Sequence, residues 1–328
     1  MSEPTNIVSL PPRTGQGEDS PAPPYAELAA ATNFSFLRGA STAKDMILQA
    51  LLLNHSGIGI ADHNTVAGVV RAWTELKQFR ADGLPTHDEV REGGSPGEVG
   101  WIAHPDEDEL KAISAELQRR ALAFKLAVGA RLVFADGTPD IIAYPVNRSG
   151  WGRLCRLLTK GNLRAAPGVD RATKGECRLT LDDLLFHPAE LLLIVMPGER
   201  LEGLQPLLSR LHRSACVWLG ATMHRRGDDR RRLHKLKKIA ATAGVPLIAV
   251  NDALYHARVQ RDLQDIVTCI REGVKITEAG RLLEANAERH LKARQEMARL
   301  FAHAPEAIDQ VAIFLDLVEF DLEQLSYQ

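Results

Sequence analysis

The chain has 328 residues, of which 45% are apolar and 25% are charged, values close to those of soluble globular proteins. This composition excludes a collagen-like, coiled-coil or wholly disordered chain, and the length suits two average domains or one large α/β barrel. With 40 basic and 42 acidic residues, the net charge is −2, so no global field would hold nucleic acid or an anionic membrane. No apolar stretch of about 18 residues predicts a membrane helix, and no signal peptide is apparent, so we expect a cytoplasmic protein.

The first elements are predicted by turn residues and apolar spacing. Residues 1–24 hold six of the 17 prolines, with Gly, Ser and Thr between them, which predicts a disordered tail. Apolar residues then recur at helical spacing behind Thr42, and Thr42 with Asp45 forms a candidate capping box. A helix is therefore predicted to begin directly after Thr42.

Six apolar runs are candidate strands, and most are continuous rather than alternating, which is typical of parallel strands covered on both faces. These runs are 58–61, 126–134, 141–146, 191–196, 216–221 and 246–250. Helical patterns lie between them, two of which end at Gly161 and Gly244. The alternation predicts a parallel α/β barrel or a doubly wound sheet.

Two segments stand apart in charge. Residues 86–109 carry eight acidic side chains against Arg91 alone, which predicts a solvated surface excursion. Residues 225–238 carry eight basic side chains. A solvated helix face is favoured there over a DNA-binding strip, because no aromatic residues interleave for stacking. If the segment does contact nucleic acid, the candidate residues are Arg230, Arg231, Lys235 and Lys238.

The pattern from residue 259 to 315 is nearly all helical, including a long run over 284–301. This predicts a helical extension after the barrel. The apolar residues Ile266, Val267 and Ile270 lie in that extension, and we expect them to be exposed and to promote self-association.

Polar residues that could carry chemistry follow several predicted strands, where the active groups of parallel α/β folds gather. Asp62 and His63 follow the run 58–61, His224 follows 216–221, and Asp252 follows 246–250 after Asn251. Asp140 is included although it opens the run 141–146. His and Asp are ligands of hydrolytic metal centres. The alternatives stay open, because Asp62 and Asp252 also suit helix caps and His224 suits a surface position beside the basic run. P-loop, nucleophile-elbow and dinucleotide-binding motifs are missing from the sequence.

Several stretches, in order, are similar to one known family. YAELAAATNFSFLRGA from Tyr25, IGIADHNTVAGVVRAW from Ile58 and GVPLIAVNDALYHA from Gly244 resemble the bacterial error-prone DNA polymerases related to the DNA polymerase III alpha subunit. The matching part is their N-terminal polymerase and histidinol phosphatase (PHP) domain. The resemblance implies a distorted seven-stranded α/β barrel at 25–257, with an acidic insertion loop at 86–120. A helical extension at 258–328 would lead toward a polymerase body that this chain lacks.

The resemblance also implies that a metal cluster has been degraded. Metal-binding members hold up to three divalent ions, and four of their ligand positions match Ala29, Ala31, Arg131 and Leu254 in this sequence. Asp62, His63, His224 and Asp252 remain at matching positions, and Asp140 stands where a His is usual. We expect weak or partial binding of Zn, Mn or Mg at most, since the remaining groups supply too few ligands. Arg131 is predicted to form ion pairs with Asp62 or Asp252 instead.

The favoured hypothesis is a non-catalytic module, with no catalytic residue, of a polymerase that acts in damage-induced DNA synthesis and repair. The resemblance implies the polymerase body or mutagenesis-complex proteins as partners, DNA contact only through the full polymerase, and no membrane. The alternative is a metal-dependent phosphoesterase or 3′–5′ exonuclease that uses the remaining His and Asp ligands. A decayed gene product without a role is a third reading.

Overall fold

The computed structural model describes residues 22–84, 107–173 and 175–325. They form a seven-stranded sheet whose spatial order is the order of the sequence, with helices packed on it. The predicted seven-stranded α/β architecture is therefore confirmed. The strands are β1 (Ala26–Ala30), β2 (Gly57–His63), β3 (Lys125–Leu132), β4 (Ile141–Pro145), β5 (Leu191–Val195), β6 (Cys216–Ala221) and β7 (Leu247–Ala249).

The helices begin and end close to the predicted signals. Thr42 and Asp45 form the predicted capping box of the first helix, and Gly244 ends another helix in the left-handed conformation, with φ 71°. The α-helices are α1 (Ala43–Leu52), α2 (Ala67–Asp82), α3 (Glu107–Ala123), α4 (Arg148–Leu163), α5 (Leu181–Phe186), α6 (Leu204–His212), α7 (Asp229–Ala243), α8 (Arg261–Glu272), α9 (Ile276–Ala279), α10 (Arg294–Leu300) and α11 (Glu306–Leu317). Short 3₁₀ segments cover Arg258–Gln260, Gly280–Leu282 and Leu322–Leu325.

Two strands depart from the sequence prediction. β1 is missing from the six apolar runs because its sequence, AELAA, contains three alanines and Glu27, which are weak strand formers. It is a strand because it pairs with β2 and all five residues are buried. β4 is antiparallel to β3 and β5, not parallel. Residues 133–140 are too short a connection for a parallel crossover, which needs about a dozen residues or more.

The sheet curls so that its edge strands, β1 and β7, approach each other. The backbone N–H of Ala31, just after β1, donates to the carbonyl of Ala253, just after β7, at 2.9 Å. α11 contacts both edge strands. Its Phe314 packs edge-on against Tyr144 and Trp218, with ring centroids 5.6 and 4.8 Å apart. α11 thus closes the barrel near the starts of the parallel strands, opposite the end where they finish.

Two other predictions are wrong in part. The predicted acidic loop 86–120 ends in helix α3, because Leu117 and Ala121 are buried in the cluster that also includes α2 residues. Its residues 86–106, like the predicted tail up to residue 21, lie outside the described residues. The run 284–301 is helical only from Arg294 onward. Residues 284–292, which we call the strap, instead cross the end of β7, where Leu254 donates to the carbonyl of Arg289 and Leu291 to that of Tyr255.

The predicted extension does not form a separate core. Met297, Phe301, Ile308 and Phe314 belong to the same buried cluster as the barrel strands. The predicted boundary at 257/258 therefore separates no two hydrophobic cores. In the part of the chain that the structure describes, no helix combines the length and apolar character needed to cross a membrane.

Candidate functional site

The polar residues predicted from strand ends are brought to one end of the barrel. Asp62 and His63 are the last residues of β2, and His63 is in register with Arg131 on β3. Asp140 directly precedes β4, and because β4 runs antiparallel, its start lies where the parallel strands finish. Asp252 follows β7 at the same end. The topology therefore gathers the candidate residues as the sequence predicts, although Asp140 arrives there through the antiparallel strand.

Arg131 lies between two of these carboxylates. Its guanidinium donates to Asp252, and its second nitrogen lies 3.4 Å from Asp140 Oδ2. The side chains of Arg131 and Asp252 are 16% and 14% exposed, so the pair is largely removed from water. The ion pair predicted with Asp252 is thus present, whereas the one predicted with Asp62 is replaced by a pair with Asp140.

Asp252 has a second cationic partner that sequence reasoning missed. Arg289 of the strap lies 2.6 Å from Asp252 Oδ2 and also donates to the Asp252 carbonyl at 2.8 Å. Burial opposes ionisation of this carboxyl, but the charges of Arg131 and Arg289 outweigh it and lower its pKa to about 2. Arg289 in turn pairs with Glu284 at 2.7 Å. Asp252 is therefore a fully ionised, doubly paired anion.

Asp62 is engaged differently. Its carboxylate accepts hydrogen bonds from the backbone N–H and the hydroxyl of Thr32, at 2.7 and 2.8 Å. Burial raises its pKa to about 6. Gly68, in the first turn of α2, lies so close that an added Cβ would be 2.2 Å from Asp62 Oδ2. Asp62 thus ties the loop after β1 to the end of β2, as a hydrogen-bond acceptor.

The two histidines among the candidate site residues, His63 and His224, are held in the neutral form. Burial lowers the pKa of His63 to about 4, assisted by the nearby charges of Arg38, Arg131 and Arg271. His224 is buried, and its Nε2 lies 2.7 Å from the Asn251 carbonyl oxygen. That nitrogen therefore carries the proton and donates to the carbonyl, so it is unavailable as a metal ligand.

The expected metal ligands do not converge. Ala29 and Ala31 are buried beside the end of β1, and Leu254 follows Asp252. None of these side chains has a donor atom. Among the described residues, no group of three or more His, Cys, Asp or Glu side chains could hold a metal ion. With the Arg131 cation placed between Asp140 and Asp252, this donor set does not fit a multinuclear metal cluster.

Glu27 is a further buried carboxylate that sequence reasoning missed. It is 1% exposed and accepts hydrogen bonds from the Tyr25 hydroxyl at 2.8 Å and from the backbone N–H groups of Ala29 and Asn251 at 2.9 and 2.8 Å. Burial raises its pKa to about 7. The only sign of this role in the sequence was that Glu27 is a single acidic residue inside an apolar stretch. Through Asn251, Glu27 joins the two edges of the sheet.

The strap contains a second buried charge. Lys292 is 1% exposed, and its ammonium lies 3.1 Å from Glu288 Oε2 and also donates to the Glu288 carbonyl. Arg258 pairs with the same carboxylate at 3.0 Å. Asn251 donates through its amide to the Glu288 carbonyl at 2.9 Å. The strap is therefore fixed to the site by ion pairs and hydrogen bonds.

The basic segment 225–238 divides into two sets. Several members are used within the fold: Arg226 pairs with Glu284 at 2.9 Å, Lys237 pairs with Glu306 at 2.6 Å, and Arg232 donates to carbonyls of residues 197–199. The four predicted nucleic-acid contacts, Arg230, Arg231, Lys235 and Lys238, are exposed on α7. Their contact with nucleic acid stays a prediction.

The chain is similar to error-prone DNA polymerases, as its motifs predict. It is 45% identical over 309 residues to the error-prone DNA polymerase of Bradyrhizobium sp. (strain ORS 278), covering 93% of this chain and 23% of the relative. The polymerase of Brucella abortus is 43% identical over 307 residues, which cover 93% of this chain and 24% of that protein. The chain thus spans about a quarter of the length of these relatives. No family model matches it.

Solved structures give a more distant match. A candidate metal-dependent phosphoesterase from Bifidobacterium adolescentis aligns with a TM-score of 0.41 and 12% identity over 70% of this chain and 88% of that one. An amidohydrolase from Chromobacterium violaceum aligns with a TM-score of 0.39 and 13% identity, over 70% and 86% of the two chains.

Proposed function

We propose that this chain, which is related to error-prone DNA polymerases over 93% of its length, is a non-catalytic PHP-type module of such a polymerase. In this proposal the module supports a polymerase that acts in damage-induced DNA synthesis and repair in the cytoplasm. Its role is structural, through contact with the polymerase body or with partner proteins, and DNA is met only by the complete polymerase.

The observation that carries this proposal is the position of Arg131. A guanidinium between Asp140 and Asp252, with Arg289 on the other side of Asp252, neutralises carboxylates that a metal site would need as charged ligands. The ion pairs join β3, the start of β4, the end of β7 and the strap, which is the cohesive role that bound ions would otherwise have. The same residues thus stabilise the barrel end without a metal.

The competing function is metal-dependent phosphoester hydrolysis by the remaining Asp62, His63, His224 and Asp252. Two contacts argue against it. Asp252 is doubly paired with arginines, and the Nε2 of His224 donates to the Asn251 carbonyl. Asp252 would have to break buried ion pairs before it could bind a cation, and the Nε2 of His224 could bind one only by losing its hydrogen bond to the Asn251 carbonyl.

The test compares metal content and hydrolysis in two proteins. Zn, Mn, Fe and Mg would be measured in the purified chain, together with cleavage of a model phosphodiester and of single-stranded DNA. We expect less than roughly 0.1 equivalents of metal and no cleavage. The positive control is a fourfold variant, Ala29→His, Ala31→His, Arg131→Glu and Leu254→His, which returns donor atoms to the replaced positions and should gain metal.

Stoichiometric metal in the unaltered chain, with cleavage lost in His224→Ala, would establish the hydrolytic function and refute the structural one. If cleavage persisted after treatment with a chelator, the chain would hydrolyse phosphodiesters without a metal, which would argue against both the structural and the metal-dependent function.

A further inference from the structure

Helix α8 (Arg261–Glu272) is packed with its apolar stripe outward. Leu263, Ile266, Val267 and Ile270 follow the i, i+3, i+4, i+7 spacing that normally marks a core-facing surface. In the structure the buried residues of α8 are instead Gln264, Thr268 and Cys269. Ile266 and Ile270 are 50% and 60% exposed. Packing within the described residues therefore does not account for the apolar stripe.

The exposed surface continues beyond α8. Val259 precedes the helix, and Ile276 and Leu282 follow it; each of the three is about half exposed. Six of the 15 large exposed hydrophobic side chains in the described residues thus fall between residues 259 and 282. We call the surface formed by Val259, Leu263, Ile266, Ile270, Ile276 and Leu282 the α8 surface. A cluster of exposed apolar side chains marks an interface more often than single exposed apolar residues do.

The α8 surface has a groove and a polar rim. An open groove of about 750 Å³ lies between α8 and α9, lined by Ile266, Ile270, Val274 and Ile276. Around it, exposed charges of both signs are present, including Lys275, Glu272 and Glu278. An apolar centre with a mixed polar rim is the usual composition of a protein–protein interface.

We propose that the α8 surface is the docking site for the part of an error-prone DNA polymerase that lies outside the matched region. The proposal rests on the proposed function and names the surface through which the module would contact the body. We infer the partner from the length of the relatives, because they are about four times as long as the region that they share with this chain. A body of that size would cover the stripe that α8 cannot bury within this barrel.

The site at the strand ends lies close to the same surface. Arg271 of α8 donates to the carbonyl of Leu37 at 2.9 Å, and Leu37 lies in the loop that carries the exposed Phe36 and Phe34. A second groove, lined by Asn33, Ser41, His256, Leu263 and Val267, joins that loop to α8. A partner on the α8 surface would therefore also reach the loop after β1.

The experiment uses a full-length polymerase. This chain would replace the matched quarter of the Bradyrhizobium sp. polymerase, and hydrogen exchange of residues 259–282 would be compared with that of the 328-residue chain alone. We expect exchange of this segment to slow at least about tenfold in the full-length protein. The double variant Ile266→Glu/Ile270→Glu should lose that protection, while the control Leu163→Glu/Phe186→Glu, two side chains each 74% exposed elsewhere, should keep it.

Equal exchange of this segment in the chain and in the full-length protein would overturn the proposal. So would protection of this segment that persists unchanged in the full-length Ile266→Glu/Ile270→Glu variant, because the slowed exchange would then not come from a partner docked on the apolar stripe. As a second measurement, the surface variant of the 328-residue chain should unfold at the same temperature as the unaltered chain, since these side chains are exposed there. Metal content is independent of this surface, so failure here leaves the test of the proposed function intact.

Discussion

Arg131 donates to the carboxylate of Asp252, a residue 121 positions further along the chain. The contact spans from β3 to the residue after β7, and Arg289 of the strap extends it to the second oxygen of the same carboxylate. Three distant segments are thus connected through one anion. In a barrel whose edge strands are held together by few backbone hydrogen bonds, this contact fixes the end that carries the polar residues.

Arg131→Glu should destabilise the fold without creating a metal site. The new carboxylate would face Asp252 and Asp140, so breaking this largely buried pair should lower the free energy of unfolding by about 3 kcal/mol. Denaturant unfolding and metal analysis of the variant would measure both effects. The control is Arg210→Glu, whose partner Asp182 is exposed, and it should cost about 1 kcal/mol or less. An unchanged midpoint in Arg131→Glu would contradict the structural role of the pair.

Asp62 should make the protein less stable as the pH rises. Burial raises its folded-state pKa from 3.8 to about 6, so the folded form retains a proton that the unfolded form has lost. Its contribution to the free energy of unfolding therefore falls across pH 3.8 to 6, by up to about 3 kcal/mol. The pKa of Asp252 is lowered instead, so its contribution to the free energy of unfolding is lost as the pH falls. That loss occurs only below its ordinary pKa of 3.8, outside the range in which Asp62 titrates.

The measurement is the difference between the unaltered chain and Asp62→Asn across this pH range. Asn keeps an acceptor for the Thr32 N–H and does not titrate, so the difference isolates the Asp62 carboxyl. Parallel pH curves for the two proteins would show that Asp62 is ionised in the folded state with an ordinary pKa.

Gly68→Ala should be destabilising although Gly68 lies in a helix. The added Cβ would be 2.2 Å from Asp62 Oδ2 and 2.6 Å from Thr32 Oγ1, and such overpacking costs roughly 1–3 kcal/mol. Gly152→Ala in α4 is the matched control, because its nearest neighbour would be 3.6 Å away. That variant should be neutral or more stable by up to about 1 kcal/mol. Similar behaviour of both variants in thermal unfolding would contradict the close approach at Asp62.

The buried pair of the strap should respond asymmetrically to mutation. Glu288→Gln leaves the Lys292 ammonium without a carboxylate in a fully buried position, which should cost about 3 kcal/mol. Lys292→Met leaves Glu288 with Arg258 at 3.0 Å and Arg225 at 3.6 Å, so its cost should be less than half as large. Chemical unfolding of the two variants measures this difference. A larger loss in Lys292→Met would show that the outer arginines do not compensate.

Local patterns predicted much of the fold. The capping box at Thr42 and the apolar runs of β2 to β7 are decided by neighbouring residues, so they are readable from the sequence alone. The existence of β1 and the antiparallel direction of β4 cannot be read from neighbouring residues. The first depends on burial by the rest of the barrel, and the second depends on the shortness of residues 133–140.

The sequence predicted the candidate-site residues that lie at strand ends, but it did not predict all of the residues that pair with them. Strand-end position identified Asp62, His63, Asp140 and Asp252, because topology brings such residues together. Arg289 escaped prediction, since a charged residue in a helical-looking stretch gives no sign of tertiary pairing. Glu27 escaped for a related reason: its role depends on Asn251, which meets it only when the sheet curls.

The position of α11 affects how the chain can fold as it leaves the ribosome. All seven strands have been synthesised once Ala249 has been added, yet Phe314 and Leu315 fill the end of the barrel that those strands leave open. Folding during synthesis therefore cannot complete the core until about 65 further residues have followed β7, and the open end of the sheet is exposed for that interval. A chaperone that binds apolar surface would have its main opportunity in this window.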